Sequence, residues 1–540
     1  MKKATKILSL ILALVLCVAL FAACGDAKEE EKEENDEPVS VSIDPNDDGG
    51  VTVEDPEVTE ETKYADELIY CIGDFASASP LNPSFVISSC TILMPMVYDT
   101  LLDRLPEGGY GPRLATSWDT EDYQNWHLTL RDDVTFHNGD PFNAQVVADS
   151  IEIVKSTPGA IGASKWADVE SVEIINDYEI IIHLSRVLID FDNYMADPMA
   201  SIMDAKAIAE DPDNGVFVGT GDWIWKEGVP GSHIYLEDNP DFWGEKHPGH
   251  AKLFNMKVVT ETTARDIMFQ NKELDFAGAS NDLLEQYEAD PTIVVDRYVM
   301  SNTNYVCFNL NDPLMADINF RKAVLYCIDR QVCTDITFQG LAHTWDTNSY
   351  WGGRTDYKLE IPIIEQDLDA AKEFLAQSSY NGEKVQLWAA MPQTITNATI
   401  IAGQMEAIGI NAEVFETDNA NLSSSSLWGS NNYQMMVNSG PWSSLGSSCN
   451  MFFQAGAMAN KAQWNNERVQ ELIALADKTP NGPDREAIYF EIQQICSDEI
   501  PFIGIANMMM LMARQANCGG VVYFTDNYHD YSNAYKIVEE

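Results

Sequence analysis

The chain has 540 residues, 45% of them apolar and 10% aromatic, with 85 acidic against 33 basic side chains. That is a globular composition with room for two or three domains. The formal net charge of −52 argues against nucleic acid and against adhesion to anionic lipid headgroups, and leaves basic or neutral partners open.

At the N-terminus Lys2, Lys3 and Lys6 precede an apolar run from Ile7 to Phe21, then small residues before Cys24. This is the pattern of an export signal over residues 1–23 rather than a spanning anchor, because no second apolar stretch of transmembrane length follows. Ala22, Ala23, Cys24 and Gly25 are similar to the bacterial lipobox, with Phe21 where Leu is usual. The similarity implies lipidation of Cys24 and anchoring to the outer face of the cell membrane; a conventional cut near Ala23 is the alternative. Residues 25–61 then hold 16 Asp or Glu and two Lys. So little apolar surface cannot offset chain entropy, so residues 24–63 are expected to be a disordered acidic spacer.

Cys17 leaves with the signal, so eight cysteines remain besides Cys24: Cys71, Cys90, Cys307, Cys327, Cys333, Cys449, Cys496 and Cys518. No C-x-x-C spacing occurs, which gives a zinc or iron–sulfur site no support, and buried free thiols are expected. No metal or cofactor is expected.

In the body, "KYADELIYCIGDF" (63–75) alternates like a first strand, and "HLTLRDDVTF" and "YEIIIHLS" also read as strands. In "FHNGDPFNAQVVADS" (136–150), His137, Asp140 and Asp149 could form a metal or acid/base cluster, but a turn feeding a helix needs less. Gly139 supplies a φ > 0 turn position, Asn143 caps, and Val147, Ile151 and Val154 recur on one helix face. "DRYVMSNTNYVCFNL" (296–310) reads as a strand crossing between two large halves, after which the helix-rich pattern begins afresh. "ERVQELIALADK" (467–478) and "REAIYFEIQQICSDEI" (485–500) read as amphipathic helices. The whole is α/β without short repeats.

The order of motifs resembles the family 5 extracellular solute-binding proteins of ABC importers, the dipeptide- and oligopeptide-binding type. The resemblance is carried by "LATSWDTEDYQNWHLTLRDDVTFHNGDPFNAQVVADS" (114–150), "GTGDW" (219–223), "NPDFWG" (239–244), "FNLNDPLMADINFRKAVLYCIDR" (308–330), "DLDAAKEFLA" (367–376) and "IIAGQMEAIGINAEV" (400–414). It implies a two-lobed periplasmic-binding-protein-like (type II) fold with a subdomain inserted in the first lobe. Lobe one would comprise 64–305 plus 511–540, with the insertion at about 101–215, and lobe two 306–510. It also implies a monomer that closes over its ligand and delivers it to an ABC transporter permease, and it places His137 and Asp140 in a scaffold turn.

Peptide-binding members of the family carry an Asp in lobe two that pairs with the peptide's α-amino group. The matching stretch here, "MMVNSGPWSSLGSSCNMFF" (435–453), has no acidic residue. A buried ammonium without a charged partner costs several kcal/mol, so either another carboxylate serves or the ligand lacks a free amino terminus. An oligosaccharide, held by aromatic faces and neutral hydrogen-bonders, is the alternative to a peptide. The expected ligand-binding residues are Trp442, Ser443, Ser444, Asn438, Tyr350, Trp351 and Trp388, with Ser88 and Ser89 across the cleft and Trp166 reaching a longer ligand. An exported hydrolase is the rival from another class, but the chain has no Gly-x-Ser-x-Gly elbow and no His-Glu-x-x-His, and no enzyme activity is expected. Eight scattered histidines disfavour nickel or haem capture.

Overall fold

The computed structural model of the protein describes residues 50–52, 55–73, 87–106, 109–347, 359, 361–418, 422, 433–441, 449–457, 460–524 and 528–538. All of them belong to the unit Val41–Glu540. Its spine is an 11-stranded mixed sheet. Ten strands follow one path: Ala412–Glu416, Val385–Ala389, Met435–Pro441, Ile293–Phe308, Phe502–Gln515, Phe276–Gly278, Glu67–Ile72, Leu253–Val258, His233–Asp238 and Trp223–Val229. Ala342–Thr344 adds to Phe502–Gln515 off that path.

Two strands in the middle are far longer than the rest, Ile293–Phe308 with 16 residues and Phe502–Gln515 with 14. They run antiparallel, and their pairing has two parts. Ile293–Val299 pair with Met509–Gln515, and Thr303–Cys307 with Phe502–Asn507; the register slips between Val299 and Thr303 and again between Asn304 and Tyr305. A slip twists and bends a ladder locally. The crossing strand expected at 296–310 is therefore present, and it has a partner that the sequence reading divided at residue 510. The run "FIGIANMMMLM" lacks the alternation that marks a strand.

The apolar cores divide on either side of this slip. One large cluster joins Leu68, Leu93, Trp126, Ile180, Trp223, Phe254, Tyr298 and Met512. Others, built around Val306, Phe320, Leu387 and Ile505 and around Tyr305, Phe453, Ile473 and Ile492, draw on later segments. The strand Glu179–Leu184 and the helices Glu467–Ala476 and Pro483–Glu499 fall where alternation and helical periodicity place them, whereas the strand read over 127–136 is Asn125–Leu130 and stops before the turn-forming "RDDVTF".

The acidic stretch expected to be free spacer up to residue 63 ends sooner. Gly50–Thr52 pairs antiparallel with Val522–Phe524, and the Gly520 amide donates to both oxygens of Asp55 at 3.1 and 3.0 Å. Composition missed this because the contacts are backbone pairing and one carboxylate, neither of which needs apolar side chains. Six of the expected cysteines, Cys71, Cys307, Cys327, Cys333, Cys496 and Cys518, are buried free thiols, and Cys449 is buried as well.

The turn at 136–143 forms as its residues predict. Gly139 has φ +86°, the Asn143 side chain accepts from Val146 N at 3.1 Å, and Val147, Ile151 and Val154 are buried in the helix Ala144–Ser156. Both ring nitrogens of His137 are engaged by the backbone. Gly219 N donates to its Nδ1 at 3.3 Å, so its Nε2 carries the proton and donates to Gly221 O at 3.0 Å. Asp140 pairs with Lys206 at 2.9 Å, and Asp149 accepts from Gln145 at 2.8 Å. The three residues are thus separately engaged.

The "GTGDW" loop that His137 grips packs against the end of the helix Ile87–Val97. A Cβ on Gly219 would stand 1.9 Å from Val97 O and one on Gly221 2.3 Å from Met96 O, which explains both glycines. Just beyond that helix lies the fully buried carboxylate of Asp99. It accepts from Arg113 Nε at 2.6 Å, Thr220 Oγ1 at 2.8 Å and Trp243 Nε1 at 2.9 Å. Arg131 lies 4.3 Å over the Trp243 ring. Two of the sequence motifs, through Thr220 and Trp243, therefore meet at one buried acid, and a third adds Arg131 over the Trp243 ring.

Two outcomes follow. Asp99→Ala leaves Arg113 without its main partner and is expected to cost about 3 kcal/mol, read by chemical denaturation. Burial holds His137 below its ordinary range, so below about pH 6.5 the unfolded chain takes up a proton that the folded one refuses, and stability falls as pH falls. His137→Gln is expected to lower the melting temperature near neutrality by about 2–6 °C, to make the acid-side decline shallower, and to leave ligand affinity unchanged.

Candidate functional site

The crossing strands carry the strongest candidate. Along Phe502–Gln515 every residue is buried except Met508, Met509 and Met510, which are half-buried beside the register slip. On the partner strand Met300 and Asn302 are half-buried at the same level, and so are Ser439 and Gly440 on the next strand. A central strand that opens to solvent at its bend presents a surface, and here that surface is thioether and neutral amide.

The polar groups are tied together in two layers. Ser439 Oγ donates to Asn302 Oδ1 at 2.8 Å and touches Met508 Sδ at 3.7 Å. Thr303 Oγ1 and Trp345 Nε1 both donate to Asn507 Oδ1, at 2.9 and 2.8 Å. Trp345 lies flat on the strand at Gly504, where a Cβ would stand 1.9 Å from its ring. The Gly504 carbonyl accepts from Arg330 Nε at 2.8 Å, which gives the Arg of the "IDR" motif a structural task. Behind the strand, Thr337 Oγ1 donates to Asn397 Oδ1 at 2.6 Å and Asn397 Nδ2 to Asn304 Oδ1 at 2.9 Å. Asn304 Nδ2 is buried with no partner in the protein. Buried polar groups left over in this way mark a place for water or ligand.

Apart from the Arg330 guanidinium, which is tied to the Gly504 carbonyl, every group in this network is neutral. It offers hydrogen-bond donors and acceptors together with deformable, polarizable methionine surface, which accommodates varied apolar groups. Among the described residues no three His, Cys, Asp or Glu side chains converge as metal ligands, and no helix is long and apolar enough to cross a membrane.

The residues expected from sequence fare differently. Trp166 is a correction: it is fully buried, 6.1 Å from the Phe191 ring, and faces core instead of a ligand. Asn438 is also buried, and its Nδ2 donates to the Tyr305 hydroxyl at 3.3 Å, because the strand turns it to the face opposite Ser439. Trp388 is half-buried against Phe415 at 4.5 Å, with its Nε1 unpartnered. Ser88 and Ser89 lie in the helix Ile87–Val97. Tyr350, Trp351, Trp442, Ser443, Ser444 and Cys24 fall outside the described residues. Sequence reasoning passed over Met508–Met510, Asn302, Ser439 and Asn507; the unbroken "NMMM" was the available signal, since three soft side chains in a row cannot all face a core.

A separate hollow of about 510 Å³ is lined by His137, Asn138, Trp225, Lys226 and Glu227, where Phe217 and Trp225 stack at 4.2 Å. No residue of the crossing strands lines it.

Residues 109–460 match the family described as bacterial extracellular solute-binding proteins, family 5 Middle. The nickel-binding periplasmic protein of Escherichia coli is 23% identical, over 83% of this chain and 90% of its own length. Among solved structures, the ABC transporter substrate-binding protein CtaP of Listeria monocytogenes aligns with TM-score 0.78 at 19% identity, covering 88% of this chain and all of that one (100%). The dipeptide-binding protein of Pseudoalteromonas sp. SM9913, in complex with Met-Leu, aligns with TM-score 0.70 at 21% identity, over 87% of this chain and 100% of that one. The fold is thus the mixed α/β, type II periplasmic-binding-protein arrangement.

Asn507→Leu removes the acceptor shared by Thr303 and Trp345. Two stranded donors are expected to cost about 2–4 kcal/mol, seen as a lower denaturation midpoint with an unchanged m-value.

Proposed function

Because the chain belongs to the bacterial extracellular solute-binding proteins of family 5, we propose that it is the capture component of an ABC importer. In this reading it is a lipoprotein held through Cys24, its two lobes close on a peptide or similarly small polar solute, and it hands that solute to a membrane permease. It binds and releases and makes or breaks no bond of its own.

Lobe one is assigned to 64–305 plus 511–540, with the insertion at 101–215, and lobe two to 306–510. Ile293–Phe308 and Phe502–Gln515 then serve as the hinge, since each runs from one set of core residues into the other. The observation that carries the reading is the half-open, neutral and methionine-rich face at the bend of these strands. Amides there match the donors and acceptors of a peptide backbone, and thioethers tolerate side chains of different shape. Closure removes the ligand from water and strengthens each polar contact inside. That a similarly folded relative holds Met-Leu supports a peptide. Trp442, Ser443, Ser444, Tyr350, Trp351, Trp388, Ser88 and Ser89 are proposed to complete the lining.

The missing acid in 435–453 sets the second reading. Neutral hydroxyls and a Trp suit a sugar, and an oligosaccharide is the alternative ligand. A thermal-shift screen decides between them, because a ligand of the folded state raises the melting temperature with its saturation. Di- to pentapeptides with free and with acetylated amino termini are compared with oligosaccharides. The expected outcome is stabilisation by peptides that survives acetylation. Stabilisation by free-amino peptides alone would mean that a carboxylate elsewhere reads the amino group, and stabilisation by sugars alone would displace the peptide reading.

A further inference from the structure

The two sets of core residues are joined a second time, far along the chain from the crossing strands. Arg485, on the helix Pro483–Glu499, meets Asp190 in a two-pronged ion pair, with Nη1 to Oδ1 and Nη2 to Oδ2 both at 2.7 Å. The neighbours of Asp190, Ile189 and Phe191, are buried, and Phe191 belongs to the large first core. Ile488, Tyr489 and Ile492 on the helix of Arg485 belong to a core of the second set. The pair spans 295 residues of sequence.

Its setting is built for a single geometry. The Arg485 side chain is only 4% exposed, its guanidinium lies 5.4 Å over the Tyr489 ring, and Nη1 also donates to Asn481 Oδ1 at 2.5 Å. Asp190 precedes the short helix Phe191–Met195 without capping it, so its carboxylate is available to the arginine. Charges line both sides of the junction. Asp168 and Arg186 pair at 2.8 Å on the Asp190 side, and Asp477, raised by burial, stands on the other and feels Arg186, Arg485 and Asp190.

We propose that Asp190 and Arg485 form a latch between the two lobes, which sets how closed the protein rests before ligand arrives. The inference rests on the two-lobed capture reading above. A forked guanidinium–carboxylate pair holds only when both partners are within hydrogen-bond range and correctly angled. Rotation at the crossing strands separates it, and both groups then rehydrate, so opening strands no buried charge. The pair therefore biases a position of the hinge and does not weld it. A solute that needs the closed form would gain affinity from the latch in proportion to the bias.

The test is small-angle X-ray scattering of the ligand-free full-length protein, with melting temperatures measured alongside. Asp190→Asn keeps the shape and removes the charge, and Arg485→Lys keeps the charge and removes the fork. Asp190→Asn is expected to raise the open-to-closed ratio by roughly 5- to 50-fold, seen as a larger radius of gyration, with Arg485→Lys between it and the parent. Sodium chloride at about 1 M is expected to move the parent the same way, more weakly because the pair is sheltered. Unchanged scattering in both variants overturns the latch, whether or not the melting temperature falls. A failed ligand screen with a positive scattering result would remove the importer reading and leave the latch standing.

Discussion

The antiparallel pairing of Ile293–Phe308 with Phe502–Gln515 is the constraint on which the other arrangements depend. Backbone amides in the centre of a sheet must find partners, and these two strands satisfy one another on both sides of a place where the register slips. The ladder is continuous enough to hold two sets of core residues in one sheet, and its register breaks between Val299 and Thr303. The same irregularity lets Met508, Met509 and Met510 reach solvent from an otherwise buried strand. The join between the two sets of core residues and the half-exposed methionine face thus share one cause.

Much of the architecture was legible because it follows from local chemistry. Gly139, Asn143 and the Val147–Ile151–Val154 stripe specify a turn, a cap and a buried face with no help from distant residues, and they behave accordingly. The motifs of residues 114–150, 219–223 and 239–244 could be recognised but not interpreted. Only in three dimensions do Arg113, Thr220 and Trp243 meet at Asp99. These motifs gather around the upkeep of a buried carboxylate.

What could not be read depended on long-range contact. Trp166 and Asn438 have the chemistry of ligand contacts, yet one is enclosed by Phe191 and its neighbours and the other faces Tyr305. Which face a strand residue occupies is decided by the partner strand, and pairing across more than a hundred residues leaves no local trace. The Asp190–Arg485 contact is the extreme case, since neither residue sits in a motif. Trp442, Ser443, Ser444, Tyr350 and Trp351 remain expectations of sequence.

The short strand Gly50–Thr52 has a mechanical consequence. It is zipped to Val522–Phe524, and a few residues later Tyr64 bridges Ile537, so the leading and trailing ends of the body are stitched to each other. Both stitches lie beside the first core, which includes Val521, Tyr523 and Ala534. A pull applied at Gly50 is therefore delivered to the first core, as load on a seam of backbone bonds.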